Sequence, residues 1–177
     1  RPVLTAILAA LHSVFGEGAP AEQVVEEVLR HQPKWGARDR RLFAGSVYEL
    51  VRWWRREAWR AGVEDDDAMG PALQAKVTAR IWAAWWRAQG GEVPDFPELT
   101  GLPPHAERDV SLAPPAVRAS LPDWLDATGA AAMGEAWPAL RDTLNAPAEV
   151  WLRANSLKAT PARVVEALAK EGVTAQP

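Results

Sequence analysis

The chain has 177 residues, is 48% apolar, carries a formal charge of −3 and contains no cysteine. That size allows one good core, or one domain and part of a second, and the apolar share excludes a disordered chain. Without cysteine, these residues offer no disulfide, no thiolate metal site and no cysteine nucleophile.

His12, His31 and His105 are far apart and fit neither H-x-x-x-H nor H-E-x-x-H spacing, so no metal site is expected. No apolar run approaches the length of a bilayer and no signal-peptide pattern opens the chain. A cytoplasmic protein without a membrane partner is expected.

In chain order, Leu4, Ile7, Leu8, Leu11 and Phe15 recur at helical spacing, and Gly16 and Gly18 end that segment. Pro20 opens a second helix with an apolar face of Val24, Val25, Val28 and Leu29, broken by Pro33 and Gly36. The third, over residues 37–60, is the longest, about 36 Å at about 1.5 Å per residue. The acidic turn "EDDDAMGP" follows, and Pro71 suits the first position of a fourth helix presenting Leu73, Val77, Ile81 and Trp85. Trp53, Trp54, Trp82, Trp85 and Trp86 are expected to interlock the third and fourth helices as core; a base-stacking cluster is the less favoured alternative.

Residues 90–115, "GGEVPDFPELTGLPPHAERDVSLAPP", are rich in proline and show no sustained period, which marks a functional connection or a linker. Short helices resume in "PPAVRASLPDWLDAT" and "GEAWPALRDTLN". The expected division is a helical domain over 1–115 and a second region over 116–177.

The third helix holds most of a charge imbalance. Residues 30–60 contain nine Lys/Arg against three acids, a local +6 in an acidic chain. On a wheel of about 100° per residue, Phe43, Val47, Leu50, Val51, Trp54 and Ala58 share one core-facing sector. Opposite them Arg41, Arg52 and Arg55 cluster with Tyr48 and Trp59, flanked by Arg38 and Arg56. Forked guanidinium donors suit phosphate and aromatic faces suit unpaired bases, so this face is a candidate for RNA contact. The competing explanation is a solvated helix face whose arginine stems cover apolar surface. Arg40 projects into the apolar sector beside Asp39, where a half-buried ion pair is expected.

Residues 145–160, "NAPAEVWLRANSLKAT", break the helical pattern. Val150, Leu152 and Ala154 alternate with Trp151, Arg153 and Asn155, which predicts a strand, with Pro147 ahead of it. Thr160 and Pro161 then start a helix that buries Val164, Val165 and Leu168, pairs Glu166 with Lys170 and stops at Gly172. "VTAQP" reads as entry to a second strand. The expectation is a β-α-β unit cut off at its last element, its remainder lying beyond residue 177.

The motifs "LPDWL" (121–125), "LNAP" (144–147) and "LRANSLKAT" (152–160), within residues 120–173, closely resemble the region joining two domains in bacterial RNA (cytosine-C5) methyltransferases of the RsmB / Nop-Sun type. "ARDRRLFAGSVYELVRWWR" resembles the D-R…Y…R helix of NusB-like RNA-binding domains, with Glu49 where those carry glycine. The fold this implies is mainly α: a NusB-like helical bundle followed by the short β-α-β start of a ferredoxin-like segment. The resemblance further implies a Rossmann-like methyltransferase domain using S-adenosylmethionine and two cysteines, which lie outside these residues. No catalytic residue is expected here, and no cofactor is expected to bind here. The implied partners are RNA, ribosomal first, and the protein's own C-terminal methyltransferase domain; DNA is not expected.

Arg153, Asn155 and Lys158 match the family's R-x-N-x-L-K segment, which implies a place near the RNA path. A purely structural anchoring role stands equally beside it. The RNA-binding candidates are therefore Arg38, Arg41, Arg52, Arg55, Arg56, Arg153, Asn155 and Lys158. The expected function is RNA recognition for an rRNA or tRNA cytosine-C5 methyltransferase. The alternatives are a stand-alone NusB-like or antitermination-type module, and a helical interaction scaffold.

Overall fold

The computed structural model describes residues 1–102, 107–146, 148 and 150–176. The apolar spacing of the N-terminal part becomes α1 (Pro2–Phe15), α2 (Ala21–His31), α3 (Ala37–Arg60), a single turn α4 (Asp65–Ala68) and α5 (Ala75–Ala88). None of the described helices is long and apolar enough to cross a membrane.

α3 is the spine, with α1, α2 and α5 packed on it. Phe43, Val47, Leu50, Trp54 and Ala58, repeating every three or four residues, are at most 2% exposed. Ile7 and Leu11 of α1 and Ile81 of α5 join them in one cluster. Each such large side chain contributes about 1.5–3 kcal/mol by leaving water, so this cluster is the main source of stability. Phe15 lies flat on Trp54, ring centroids 4.1 Å apart, and Trp54 Nε1 donates to Ala68 O at 2.8 Å. That bond satisfies a buried donor and holds α4 in place.

Of the five tryptophans expected in the core, Trp54, Trp82 and Trp85 are buried, and Trp86 stacks on Trp82 with centroids 5.5 Å apart. Trp53 instead turns outward under two arginines. The helix expected from Pro71 starts at Ala75. Gly70, at φ 81°, turns the chain; its N–H donates to Phe15 O at 2.7 Å, and Leu73 N–H returns to Gly70 O. Residues 71–74 are thereby committed to a turn tied to α1.

The described part of the proline-rich connection packs back on the bundle. A 3₁₀ turn, Pro97–Leu99, buries Leu99 against α5. Arg87 pairs with Glu107 at 2.7 Å, and Arg108 N–H donates to Arg60 O. His105 lies outside the described residues.

α6 (Pro115–Arg118), α7 (Asp123–Met133) and α8 (Trp137–Asn145) follow, the last two joined by a 3₁₀ turn. Trp137 sits against Gly129, where a Cβ would come within 2.5 Å of the indole, so only glycine fits. Trp137 Nε1 donates to Asp126 at 2.7 Å, and its ring closes a small cluster with Ala119, Leu121 and Leu125. Residues 1–144 form one compact unit and 145–177 a second. The first unit thus takes in the short helices that the sequence reading groups with the C-terminal region.

In the second unit α9 (Pro161–Lys170) begins as its sequence implies, with Thr160 Oγ1 accepting from Arg163 N–H. Gly172, at φ 78°, ends it in a Schellman motif: Val173 N–H donates to Leu168 O and Gly172 N–H to Ala169 O. Val164, Val165 and Leu168 are half-buried.

The β-α-β expectation is not met. Among the described residues there is no strand, and 150–155 run without a ladder. Val150 and Trp151 are 85% and 86% exposed. Alternation defines two faces, but a strand exists only through bonds to a neighbouring strand, and no described segment supplies one. Glu166 and Lys170, both exposed, form no ion pair among the described residues, as befits a surface pair worth a few tenths of a kcal/mol. Pro147, expected ahead of the strand, lies outside the described residues.

Candidate nucleic-acid interface

α3 is interrupted at Trp53, whose backbone leaves helical values (φ −113°, ψ 16°). Two residues later, Arg55 N–H donates to Ser120 Oγ at 3.2 Å. A side chain inserted into the helical ladder accounts for such a kink. Ser120 is itself unusual, at φ 55°. It occupies the left-handed position of a Schellman motif that closes α6, with Ser120 N–H on Val117 O and Leu121 N–H on Ala116 O, each 2.9 Å. Glycine is the usual residue there. Serine is strained by on the order of 1–3 kcal/mol, but it supplies the hydroxyl that receives the freed N–H of α3.

The Arg55 guanidinium is closed on all sides. Nε and one terminal nitrogen meet Asp65 at 2.8 and 2.6 Å. Asp123 accepts at 2.7 and 3.0 Å, and Leu121 O at 2.6 Å. Bonds to Asp123 and then to Asp65 hold Arg55 more firmly protonated than usual. In return, Arg55 keeps the Asp123 carboxyl below its ordinary value. A cavity of about 310 Å³ lies beside this node, walled by Phe15, Val51, Trp54, Met69 and Leu121.

Arg56 and Arg60 close on Glu57, at 2.9 and 2.7 Å, and Glu57 is buried. Arg56 also lies over the Trp53 ring at 3.9 Å, with Arg52 at 5.1 Å. Arg52 is exposed and donates to Leu144 O at 3.1 Å.

The first turns of α3 differ. Arg38 and Arg41 are exposed and make no hydrogen bond or ion pair among the described residues. Lys34 precedes them, also exposed, and Tyr48 follows at 47% exposure. Trp59 is half-buried under Arg108 rather than displayed. Arg40 does not pair with Asp39. Its guanidinium donates to Trp35 O and Gln32 O, at 3.2 and 3.3 Å. Arg40 thereby ties the connection after α2 to α3 while remaining half-buried.

In the second unit Arg153, Asn155 and Lys158 are all exposed. Asn155 Oδ1 accepts from Leu157 N–H at 3.1 Å, and its carbonyl accepts from Lys158 and Ala159 N–H. The asparagine therefore shapes the turn that carries Lys158 into α9.

The structure leaves Arg38, Arg41 and Tyr48 exposed on one face of α3, with Arg52 on the same face, exposed but bonded to Leu144 O, and turns Arg55 and Arg56 inward to carboxylates. The sequence reading missed Ser120, Asp65 and Asp123. The signals were a serine at a helix end followed by Leu-Pro-Asp, and the acidic run 64–67. Among the described residues there is no glycine-rich turn leading from a strand into a helix. No group of acidic or histidine side chains among them is arranged to hold a metal ion.

Residues 121–177, just under a third of the chain, match the family model of the RsmF/B-like methyltransferase ferredoxin-like domain. The matched region spans α7, α8, the R-x-N-x-L-K segment and α9, and so crosses the boundary at residues 144 and 145. No curated protein and no solved structure gives a significant match. The chain carries a region related to the RsmB/F methyltransferase family.

Proposed function

We propose that these residues form the RNA-recognition region of an S-adenosylmethionine-dependent cytosine-C5 methyltransferase acting on ribosomal or transfer RNA in the cytoplasm. The observation that carries this reading is the match of residues 121–177 to a domain of such enzymes. The cationic face of α3 supports it: Arg38, Arg41 and Arg52 are exposed on one side of a well-packed helix, Arg52 also donating to Leu144 O. In this reading these three contact phosphates, and Tyr48 stacks on a base. Arg55 and Arg56, committed to carboxylates, hold the shape of the helix behind that face. Arg153 and Lys158 meet RNA or the enzyme's C-terminal methyltransferase domain, and that domain supplies the cofactor site and the catalytic cysteines.

The test is RNA affinity of the 177-residue chain, measured by fluorescence anisotropy across a salt series with a ribosomal RNA fragment. Each neutralised phosphate on a single strand adds about 0.7 to the slope of log affinity on log salt. The Arg38→Ala, Arg41→Ala, Arg52→Ala triple variant is expected to flatten that slope by about 2. In the full-length enzyme it should slow cytosine methylation at limiting RNA. Affinity indifferent to salt and to the triple variant removes the RNA reading and leaves a helical scaffold.

A further inference from the structure

We propose that Gly45 is a close-approach point for an RNA backbone on α3, a refinement that rests on the RNA reading above. Gly45 lies mid-helix and is exposed, and a Cβ built there meets nothing within 4 Å. It is not among the residues at positive φ, so the backbone does not demand glycine. Nothing among the described residues accounts for it, although glycine weakens a helix interior relative to alanine.

Its surroundings supply a reason. On the helical wheel Arg38 and Arg52 fall within about 20° of Gly45. Arg41 and Tyr48 lie about 40° and 60° to one side, and Glu49 and Leu42 at similar angles to the other. Along the axis, at about 1.5 Å per residue, Arg38 is about 10 Å before Gly45 and Arg52 about 10 Å after it. The helix thus presents a stretch of bare backbone with a cation at each end. A sugar-phosphate chain running from Arg38 toward Arg52, which also donates to Leu144 O, meets a guanidinium group near each end and no side chain at the midpoint. Glu49 repels phosphate from one flank, so the strand lies toward Arg41 and Tyr48, where the exposed phenol ring can stack on a base. The excess of cations on this face selects a polyanion over an ordinary protein partner.

Gly45→Ala and Gly45→Leu test this in the 177-residue chain, each scored for thermal unfolding and for RNA affinity across the salt series. Gly45→Ala is expected to raise the unfolding midpoint by about 2–4 °C, since alanine favours the helix and fits without a clash. Both variants should bind RNA more weakly, Gly45→Leu by about tenfold or more, as for overpacking at a tight contact. Their salt slope should match the parent's, because no charge is removed, whereas Arg41→Ala lowers the slope. A folded Gly45→Leu variant with unchanged RNA affinity overturns the close-approach assignment and leaves the RNA reading standing. Parent protein without salt-dependent RNA binding overturns both. Loss of a protein partner in Gly45→Leu, with RNA affinity kept, also overturns the assignment.

Discussion

Arg38 and Arg41, in the first turns of α3, project into solvent with no described partner, whereas Arg55, Arg56 and Arg60, in its last turns, each close on a carboxylate. One helix carries one residue type to two uses, and the kink at Trp53 marks the change. Net charge over a stretch of sequence therefore sets only an upper bound on the charge a ligand can meet. The acids that neutralise the second half are Glu57, one residue from Arg56, and Asp65 and Asp123, ten and sixty-eight residues from Arg55.

The largest effect is expected at Arg55. Arg55→Ala leaves Asp65 and Asp123 without their cation and frees Leu121 O. Arg55, itself only 14% exposed, holds Asp65, Asp123 and Leu121 O at once, so its loss is expected to lower stability more than the loss of Ser120 does. Urea unfolding of the variant measures it. If stability holds while RNA affinity falls, the two halves of α3 do not differ as described.

A smaller effect is expected at Ser120, where two substitutions separate strain from bonding. Ser120→Ala keeps the unfavourable φ and removes the acceptor for Arg55 N–H, a loss of about 1–2 kcal/mol. Ser120→Gly removes both, and relief of strain offsets the lost bond, so stability should stay within about 0.5 kcal/mol of the parent. Equal losses in the two variants would mean that the hydroxyl alone sets the stability of this turn.

The two helix ends at Ser120 and Gly172 also show what the sequence could disclose. Gly172 announces its Schellman motif, because glycine at a helix end has one common use. Ser120 builds the same motif, but a serine before Leu-Pro-Asp has many uses and does not by itself disclose this one, since its choice depends on an N–H sixty-five residues earlier in the chain. The same divide runs through the molecule. The core faces of α1, α3 and α5 were legible from apolar spacing, and α9 from Thr160, Pro161 and Gly172, because local geometry decides them. The partners of Arg55 were not legible, for a helical wheel knows direction but not what folds back against it. The strand expected at 150–155 failed for the same cause: alternation is local, and ladder pairing is not.

Acid should loosen the Arg55 node in a defined window. Arg55 holds the folded Asp123 carboxyl below its ordinary value of 3.8, so the contribution is complete above that pH and disappears as pH falls through the lower folded value. Asp123→Asn removes the titration, and its stability should depend less steeply on pH below 3.8 than the parent's. Matching acid limbs, followed by circular dichroism, would remove Asp123 from the set of groups that tie residues 120–123 to α3.

The smallest effect on stability belongs to the open half. Arg38→Ala and Arg41→Ala together break no described bond, and alanine is at least as good a helix former as arginine. Unfolding free energy should therefore remain within about 0.5 kcal/mol of the parent. That near-zero value is what makes the pair informative, because any change in RNA affinity then reports contact and not damage. On a single strand the salt slope should fall by about 1.4 for the pair. If the pair instead destabilises the protein, its side chains are packing α3 just as Arg55 does, and the division of the helix into an open and a committed half fails at its open end.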